Sequence, residues 1–473
     1  MADKARLEDM MRPFIRRVHF VGIGGSGMSG IAEVLHSLGY EVSGSDAKRG
    51  EAFKRLAAEG IKVWLGHRAA HVRGAQVVVA STAVPADNPE LVRARREGIP
   101  VIPRAQMLAE LCRFKKTLAV AGSHGKTTAT SMAALALAAA GADPTLIVGG
   151  RLKNVRPAAG MGMGDYMVVE ADESDGSFVH LSPLAAVVTN IDDDHLDFHK
   201  SMDQLKRAFL DYLHRLPFYG CAVICQDDAG AASIVPRVER PVSTYGFDRK
   251  AGWRARDVRL FRGGSRFEAL HGGRKAAEVS LRVPGRHNVL NALAAMAAGA
   301  YLGFEPRDLA RGLGEFSGVG RRLDRLGSAG NAEFVDDYGH HPTEIAATLA
   351  ALRNGAKSRR ARRERLVVIF QPHRFSRTKL LAGHFGPAFK GADFVYVTDI
   401  YPAGEKPLPG VSSKLILDSL VRSKIDCAAF PGVAPVLESI KSGDTVLTLG
   451  AGDVRAVGEE LLRRLAAAHP GPA

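Results

Sequence analysis

The sequence predicts an α/β protein of three domains: a Rossmann-like N-terminal domain, a central P-loop ATPase-like domain and a Rossmann-like C-terminal domain. Three observations lead there. In the first hundred residues "RVHFVGIGG", an apolar helix over 28–38, "YEVSGSD", "QVVVASTAV" and "IPVIP" alternate as βαβ units of a parallel sheet do. A second series opens at "KKTLAVAG" and continues through "DYMVVEADES" and "AAVVTNIDDDH", whose strands end in polar residues, as where ligands meet the carboxyl ends of a parallel sheet. A third contains "RLVVIFQPHR", "ADFVYVTDIYPAGE" and "DTVLTLGAGD". The expected domains are residues 1–113, 114–321 and 322–473, and 473 residues suffice for several cores.

Composition narrows the class. With 46% hydrophobic and 24% charged residues the chain reads as globular. Cys112, Cys221, Cys225 and Cys427 are too few for a disulfide framework, and Cys221 and Cys225 are not spaced as C-x-x-C. No signal-peptide pattern opens the chain and no run of about 18 apolar residues occurs, so the expectation is a cytoplasmic protein without membrane insertion. The net charge of +14 calls for an acidic partner, either nucleic acid or a phosphorylated small molecule. Part of that charge lies in "RNGAKSRRARRER", residues 353–365, which reads as a solvated loop because no aromatic residues interleave with it for base stacking.

Two glycine loops carry the chemistry. Gly22, Gly24 and Gly27 fit G-x-G-x-x-G between a strand and a helix, with Asp46 nineteen residues beyond Gly27. Glycines there let the backbone approach a pyrophosphate at a helix N-terminus, so a dinucleotide such as NAD and another diphosphate such as a UDP-sugar both fit. The second loop, "GSHGKTT" from Gly122 to Thr128, is shorter than a Walker A loop, which would want glycine at Val120. It still follows an apolar strand and opens an alanine-rich helix. Backbone N–H groups and the helix dipole would face an anion, Lys126 would add a mobile positive charge, and Thr127 a hydroxyl for Mg²⁺.

Phosphoryl transfer also needs hard ligands for the metal. "VVEADESD" supplies Glu170, Asp172, Glu173 and Asp175, and "NIDDDHLDFH" supplies Asp192 to Asp194, His195, Asp197 and His199. Two acidic clusters after two strands of the same sheet favour a metal site over a merely solvated loop. His195 and His199 share the spacing of zinc ligands on a helix, but no H-E-x-x-H accompanies them.

Together these segments resemble the Mur ligases, the ATP-dependent amide-forming enzymes of peptidoglycan synthesis. The resemblance rests on "GIGGSGMSGIAE", "STAVPADNPE", "GSHGKTT", "EADESDGSF", "NIDDDHLD", "HNVLNALAA", "GVGRRLD", "DDYGHHPTE", "FQPHRFSRT", "YPAGE" and "LTLGAGD", which span nearly the whole chain. It implies that Gly22, Gly24, Gly25, Ser26 and Gly27 hold the diphosphate of a UDP-sugar, with Asp46, Ser81, Thr82 and Arg104 nearby. It implies that Gly122, Ser123, His124, Gly125, Lys126, Thr127 and Thr128 bind ATP, with Asn288 and Asn291 at the adenine and Arg322 and Asp337 meeting ATP from the third domain. Thr127 and Glu173 would hold one Mg²⁺ and His195 a second. Tyr338, His340 and Arg374 would serve the amino acid and the reacting carboxylate, with Lys126, Glu173, His195, His340 and Arg374 as the catalytic set. Without the resemblance, the alternative reading of Asn288 and Asn291 is a polar helix cap, and that of His340 and His341 a surface turn before Pro342.

The expected reaction joins L-alanine to the lactyl carboxylate of UDP-N-acetylmuramate through an acyl phosphate, releasing ADP and phosphate. The alanine-adding branch is favoured because Leu210 stands where several sister ligases carry a carbamylated lysine. Ser123 replaces a common threonine and keeps its hydroxyl. The competing readings are a ligase that adds a recycled tripeptide to the same UDP-sugar, an NAD-dependent dehydrogenase with an ATPase module, and a basic nucleic-acid-binding ATPase. The expected partners are UDP-N-acetylmuramate, L-alanine and ATP with Mg²⁺, and no nucleic acid. The expected state is a monomer or homodimer.

Overall fold

A computed structural model of the chain describes residues 11, 13–148, 159–194, 196–354 and 364–468. They fold as two compact units. The first comprises Met1–Asp257, Phe267–Val279 and Leu290–Phe316, the second Val258–Arg266, Ser280–Val289 and Ser317–Ala473.

The first unit begins with β1 (Arg17–Val21), β2 (Glu41–Asp46), β3 (Lys62–Leu65), β4 (Val77–Ala80) and β5 (Val101–Pro103), a parallel sheet in the order β3-β2-β1-β4-β5. The chain builds outward from β1 to β3, then returns to lay β4 on the other side of β1. The crevice beyond the carboxyl ends of β1 and β4 is therefore a topological switch point, where ligands of such sheets bind. The helix Ser26–Ser37 is buried all round from Met28 to Leu35, with Met28, Ile31, Ala32 and Leu35 at the i, i+3, i+4, i+7 spacing and Ser29, Glu33 and Val34 buried beside them.

Next come β6 (Lys116–Ala121), β7 (Thr145–Ile147), β8 (Ala159–Gly160), β9 (Tyr166–Glu170), β10 (Ala185–Val188), β11 (Cys221–Cys225), β12 (Val242–Gly246), β13 (Trp253–Phe261), β14 (Gly264–His271) and β15 (Arg274–Leu281). They form one sheet ordered β15-β14-β13-β12-β11-β10-β6-β9-β7-β8. β6 pairs in parallel with β10 on one side and β9 on the other. The loop that follows β6 is consequently flanked by the loops that follow β9 and β10, and these are the two acidic segments.

The helix Lys126–Ala139 buries residues all round, from Thr128 to Ala134 and again at Ala136 and Leu137, which is why it is built of alanine, serine and threonine. The helix Pro306–Glu315 lies against it. At Gly312 a Cβ would stand 2.4 Å from the Leu135 carbonyl oxygen and 2.8 Å from Ala136 Cα, so only glycine permits that approach.

The second unit holds β16 (Asp324–Ala329), β17 (Ala332–Asp337), β18 (Leu366–Phe370), β19 (Phe394–Val397), β20 (Cys427–Ala429) and β21 (Thr445–Leu449) in the order β16-β17-β21-β18-β19-β20. All neighbours are parallel except β16 and β17. Its core packs Phe370, Phe385 and Phe389 on one face and Phe334, Ile369 and Leu461 on the other. Cys112, Cys221 and Cys225 are buried free thiols and Cys427 is a partly buried one. Among the described residues no helix is long and apolar enough to cross a membrane.

Replacing Gly312 with alanine should force the two helices apart and cost about 1–3 kcal/mol of stability, the usual range for overpacking. Urea denaturation of Gly312→Ala measures this, and an unchanged midpoint would contradict the close approach.

Candidate active site

The first glycine loop is braced from below. Gly22, at φ +82°, and Ile23 donate their N–H groups to the Ser45 carbonyl, and Gly24 N–H donates to Asp46 Oδ2 at 2.8 Å. Asp46 Oδ1 accepts the Lys48 N–H at 2.9 Å. Both Asp46 oxygens thus accept backbone N–H groups, whereas an NAD site would turn that carboxylate to a ribose. A Cβ on Gly22 would lie 3.0 Å from Ser81 Cβ, so the loops after β1 and β4 touch. A Cβ on Gly27 would lie 2.9 Å from an Arg104 guanidinium nitrogen. Gly25 precedes the helix that Ser26 begins, and no side chain caps it. Thr82 is exposed.

Beneath this loop lies a polar knot that sequence reasoning missed. Glu90, with no exposed surface, accepts hydrogen bonds from Ser45 Oγ and the Arg68 N–H, lies 2.6 Å from His71 Nδ1, and faces His19 and His67. Burial would raise its pKa, yet contacts with His19, Ser45 and His71 overrule that and bring it to about 2.

The second loop is latched to the segment after β10. Thr189 Oγ1 donates to the His124 carbonyl at 2.6 Å, Asn190 Oδ1 accepts the His124 N–H at 2.8 Å, and Asn190 Nδ2 donates to the His124 carbonyl at 3.0 Å. The Asp192 N–H donates to Ser123 Oγ at 2.9 Å, and the Asp192 carboxylate lies 3.0 Å from His124 Nε2. Gly122, at φ +133°, admits no side chain, because a Cβ would fall 2.1 Å from Thr189 Oγ1. Gly125, in the left-handed region, precedes the helix, with Asn291 Oδ1 at 2.9 Å from its absent Cβ.

At the mouth of that helix the carboxylates after β9 take different partners. Lys126 Nζ donates to Glu173 Oε1 at 2.8 Å and to the Gly122 carbonyl at 2.7 Å. Thr127 Oγ1 instead donates to both oxygens of Glu170 at 3.1 Å. Burial opposes the Lys126 charge, but Glu173, Asp172 and Glu170 outweigh it and raise its pKa. Burial pushes Glu173 up to about 7 against the pull of Lys126. The carboxylate nearest Thr127 is therefore that of Glu170 rather than Glu173. His199 Nε2 lies 2.7 Å from the Glu173 carbonyl, while His195 lies outside the described residues.

In the second unit, Arg321 and Leu323 both have positive φ, +60° and +46°, on either side of Arg322. Such strain in non-glycine residues is held only where surrounding contacts enforce it. Asp337 clamps Leu323, and Asp324 Oδ2 accepts the Arg321 N–H at 3.3 Å: the buried Asp337 carboxylate accepts the Leu323 N–H at 2.8 Å, the Gly339 N–H at 2.8 Å and the Thr348 hydroxyl at 3.2 Å. Burial raises its pKa, partly offset by Arg322. Arg321 and Arg322 flank the Tyr338 ring at 5.0 and 5.2 Å. Glu344 receives Arg322 and the His340 N–H, and the His340 ring sits 5.2 Å from that of His373. Arg374, at φ +67°, precedes the helix Phe375–Ala388. Asn288 Nδ2 donates to the Pro284 carbonyl at 2.7 Å. The spacing "HPTE" was the available signal for Glu344, since a Glu three residues into a helix reaches back to its entry N–H groups.

Two glycine loops at the carboxyl ends of parallel strands, each at the start of a helix, are the layout of a protein that binds phosphate-bearing ligands. Residues 17–116 match the catalytic domain of the Mur ligase family, residues 120–299 its middle domain and residues 321–452 its glutamate ligase domain. The chain belongs to the Mur ligase family. It is 50% identical over 461 residues to the UDP-N-acetylmuramate–L-alanine ligase of Solidesulfovibrio magneticus, covering 96% of this chain and 99% of that one. Against the enzyme of the same name from Endomicrobium trichonymphae, identity is 48% over 447 residues, with 94% and 98% covered. The crystal structure of UDP-N-acetylmuramate-alanine ligase from Thermotoga maritima superposes with a TM-score of 0.79 at 31% identity, covering 96% and 99% of the two chains. A murein peptide ligase from Psychrobacter arcticus shares the fold, with a TM-score of 0.70 at 24% identity and coverage of 97% and 100%.

Glu90 yields a pH test. Its pKa falls from 4.5 to about 2 on folding, so its contribution is complete above pH 4.5 and disappears as pH drops towards 2. The shift is worth about 3 kcal/mol. Denaturation of wild type and Glu90→Gln between pH 2 and 7 should show the variant losing stability at neutral pH and a flatter acid limb.

Proposed function

We propose that the chain joins L-alanine to the lactyl carboxylate of UDP-N-acetylmuramate at the expense of ATP. The observation that carries this reading is the meeting of Lys126, Thr127 and the carboxylates of Glu170 and Glu173 at the carboxyl edge of β6, in a chain half identical to ligases of that name over almost its full length. The work divides over residues 1–113 for the UDP-sugar, 114–321 for ATP and 322–473 for the amino acid and part of ATP. Reduced thiols and a diphosphate-bearing substrate suit a cytoplasmic enzyme.

Two anions must react, so the chemistry is mainly one of charge. A lactyl carboxylate oxygen attacks the γ-phosphorus while the bond to the β,γ-bridging oxygen breaks and ADP departs. The amine of alanine then attacks the acyl carbon, and phosphate leaves from the tetrahedral intermediate as the nitrogen gives up its proton. Lys126 exchanges its hydrogen bonds with Glu173 and the loop carbonyls for the transferring phosphoryl group. Thr127 and Glu170 fit a hard divalent cation, a hydroxyl and a carboxylate already in contact, and Mg²⁺ held there would offset charge on the β- and γ-phosphate oxygens. Glu173 then serves Lys126, and His195 keeps the family's second metal role as a proposal. Asn288 and Asn291 are assigned to the adenine, Arg322 and Asp337 to ATP, and Tyr338, His340 and Arg374 to alanine and the carboxylate.

ADP release with UDP-N-acetylmuramate against a panel of amino acids tests the reading. L-alanine should support turnover best, with discrimination of one methyl limited to about 10- to 200-fold, and turnover only with a tripeptide would reverse the assignment. Lys126→Ala should lower turnover by at least about a thousandfold while UDP-N-acetylmuramate still binds. Glu170→Gln should raise the Mg²⁺ concentration for half-maximal rate by about tenfold or more, and Glu173→Gln should lower kcat with a smaller change in metal requirement.

A further inference from the structure

The last residue of β9 and the loop after it carry three carboxylates within four residues, and each is hydrogen-bonded to a different side chain. Glu170 meets Thr127 and Glu173 meets Lys126, so both face the second glycine loop. Asp172 lies between them in sequence and meets the guanidinium of Arg104, with Nη2 at 3.4 Å from its Oδ2. That guanidinium lies against Gly27, on the first glycine loop. We infer that Asp172, besides adding negative charge near Lys126, is a positioning residue of the UDP-sugar site, acting there through Arg104. The inference rests on the reading of the first loop as the diphosphate site and extends it to a residue contributed by the central segment.

The geometry argues this in steps. No side chain caps the helix Ser26–Ser37, and the atoms nearest to a Cβ on Gly27, in its first turn, are those of the Arg104 side chain. Arg104 begins the helix Arg104–Cys112, so its backbone is fixed while its long side chain has rotamers to lose. Asp172 holds that side chain with one guanidinium nitrogen, leaving other donors of the five for phosphate oxygens. Asp172 is itself oriented, its Oδ1 accepting the Ser174 N–H at 3.1 Å. The pair is part-exposed, 20% for Arg104 and 38% for Asp172, which suits a contact open to a ligand better than a buried structural tie. Asp172 therefore pre-pays the ordering of Arg104 before an anion arrives.

The test is calorimetric titration of UDP-N-acetylmuramate, and separately of UDP, into the full chain. The proteins are wild type, Asp172→Asn, Arg104→Lys and the double variant, with a non-hydrolysable ATP analogue plus Mg²⁺ titrated in parallel. UDP-N-acetylmuramate should bind about 1.5- to fivefold more weakly to each single variant, the range an ion pair of this exposure supplies. The double variant should be no weaker than Arg104→Lys alone, because Asp172 acts on the UDP-sugar only through Arg104. Affinity for the ATP analogue should change less in Arg104→Lys than affinity for UDP-N-acetylmuramate does, because Arg104 meets the first loop and not the second. Unchanged or tighter UDP-sugar binding by Asp172→Asn, independent effects in the double variant, or a loss confined to the ATP analogue would each overturn the inference. A wild-type chain that binds neither UDP-N-acetylmuramate nor UDP would instead bring down the reading of the loop on which it rests.

Discussion

The latch between the His124 peptide and the Thr189–Asn190 pair is the contact on which the second glycine loop depends. A glycine loop alone is a floppy object, and its backbone amides cradle phosphate only if the loop is held open in one shape. Here a threonine hydroxyl and an asparagine amide, supplied by the segment that follows the neighbouring strand β10, satisfy both the N–H and the carbonyl of His124. The parallel pairing of β6 with β10 brings those groups to the right height. The pairing of β6 with β9 does the same for the carboxylates that receive Lys126 and Thr127. Sheet order, rather than any one motif, assembles the charges.

Much of this was legible in the sequence. The two glycine loops, the apolar strands before them and the acidic tails of β9 and β10 are local patterns, and local patterns survive in a linear text. What failed to show was pairing. Glu170 and Glu173 are chemically alike and three residues apart, and nothing in "EADES" says which one turns to Thr127 and which to Lys126. That is decided by how the chain leaves β9. Glu90 was invisible for a related reason. It reads as an ordinary acidic residue near a helix start, and only the fold surrounds it with Ser45, His19, His67 and His71. The resemblance supplied roles for Arg322, Asp337, Tyr338, His340 and Arg374, but not the strained backbone at Arg321 and Leu323, which Asp324 and Asp337 hold.

The two glycine loops differ in how they are supported. The first leans on its own sheet, through the Ser45 carbonyl and Asp46, and has Arg104 lying against it. The second is held by side chains of a neighbouring loop, and its lysine is turned onto its own carbonyls and Glu173. The first is suited to dock a ligand that is held throughout. The second is suited to chemistry, because its cation can trade partners as charge moves.

The all-round burial of the helix Lys126–Ala139 carries a last consequence. A helix with a solvent face can tilt or slide to accommodate what binds at its tip. This one is walled in by its own sheet and, at Gly312, by a second helix seated directly on its backbone. The tip therefore works as a fixed anvil. Give in the nucleotide site is left to side chains and connecting segments, and variation that improves or relaxes substrate handling has its freedom in the loops rather than in the column behind them.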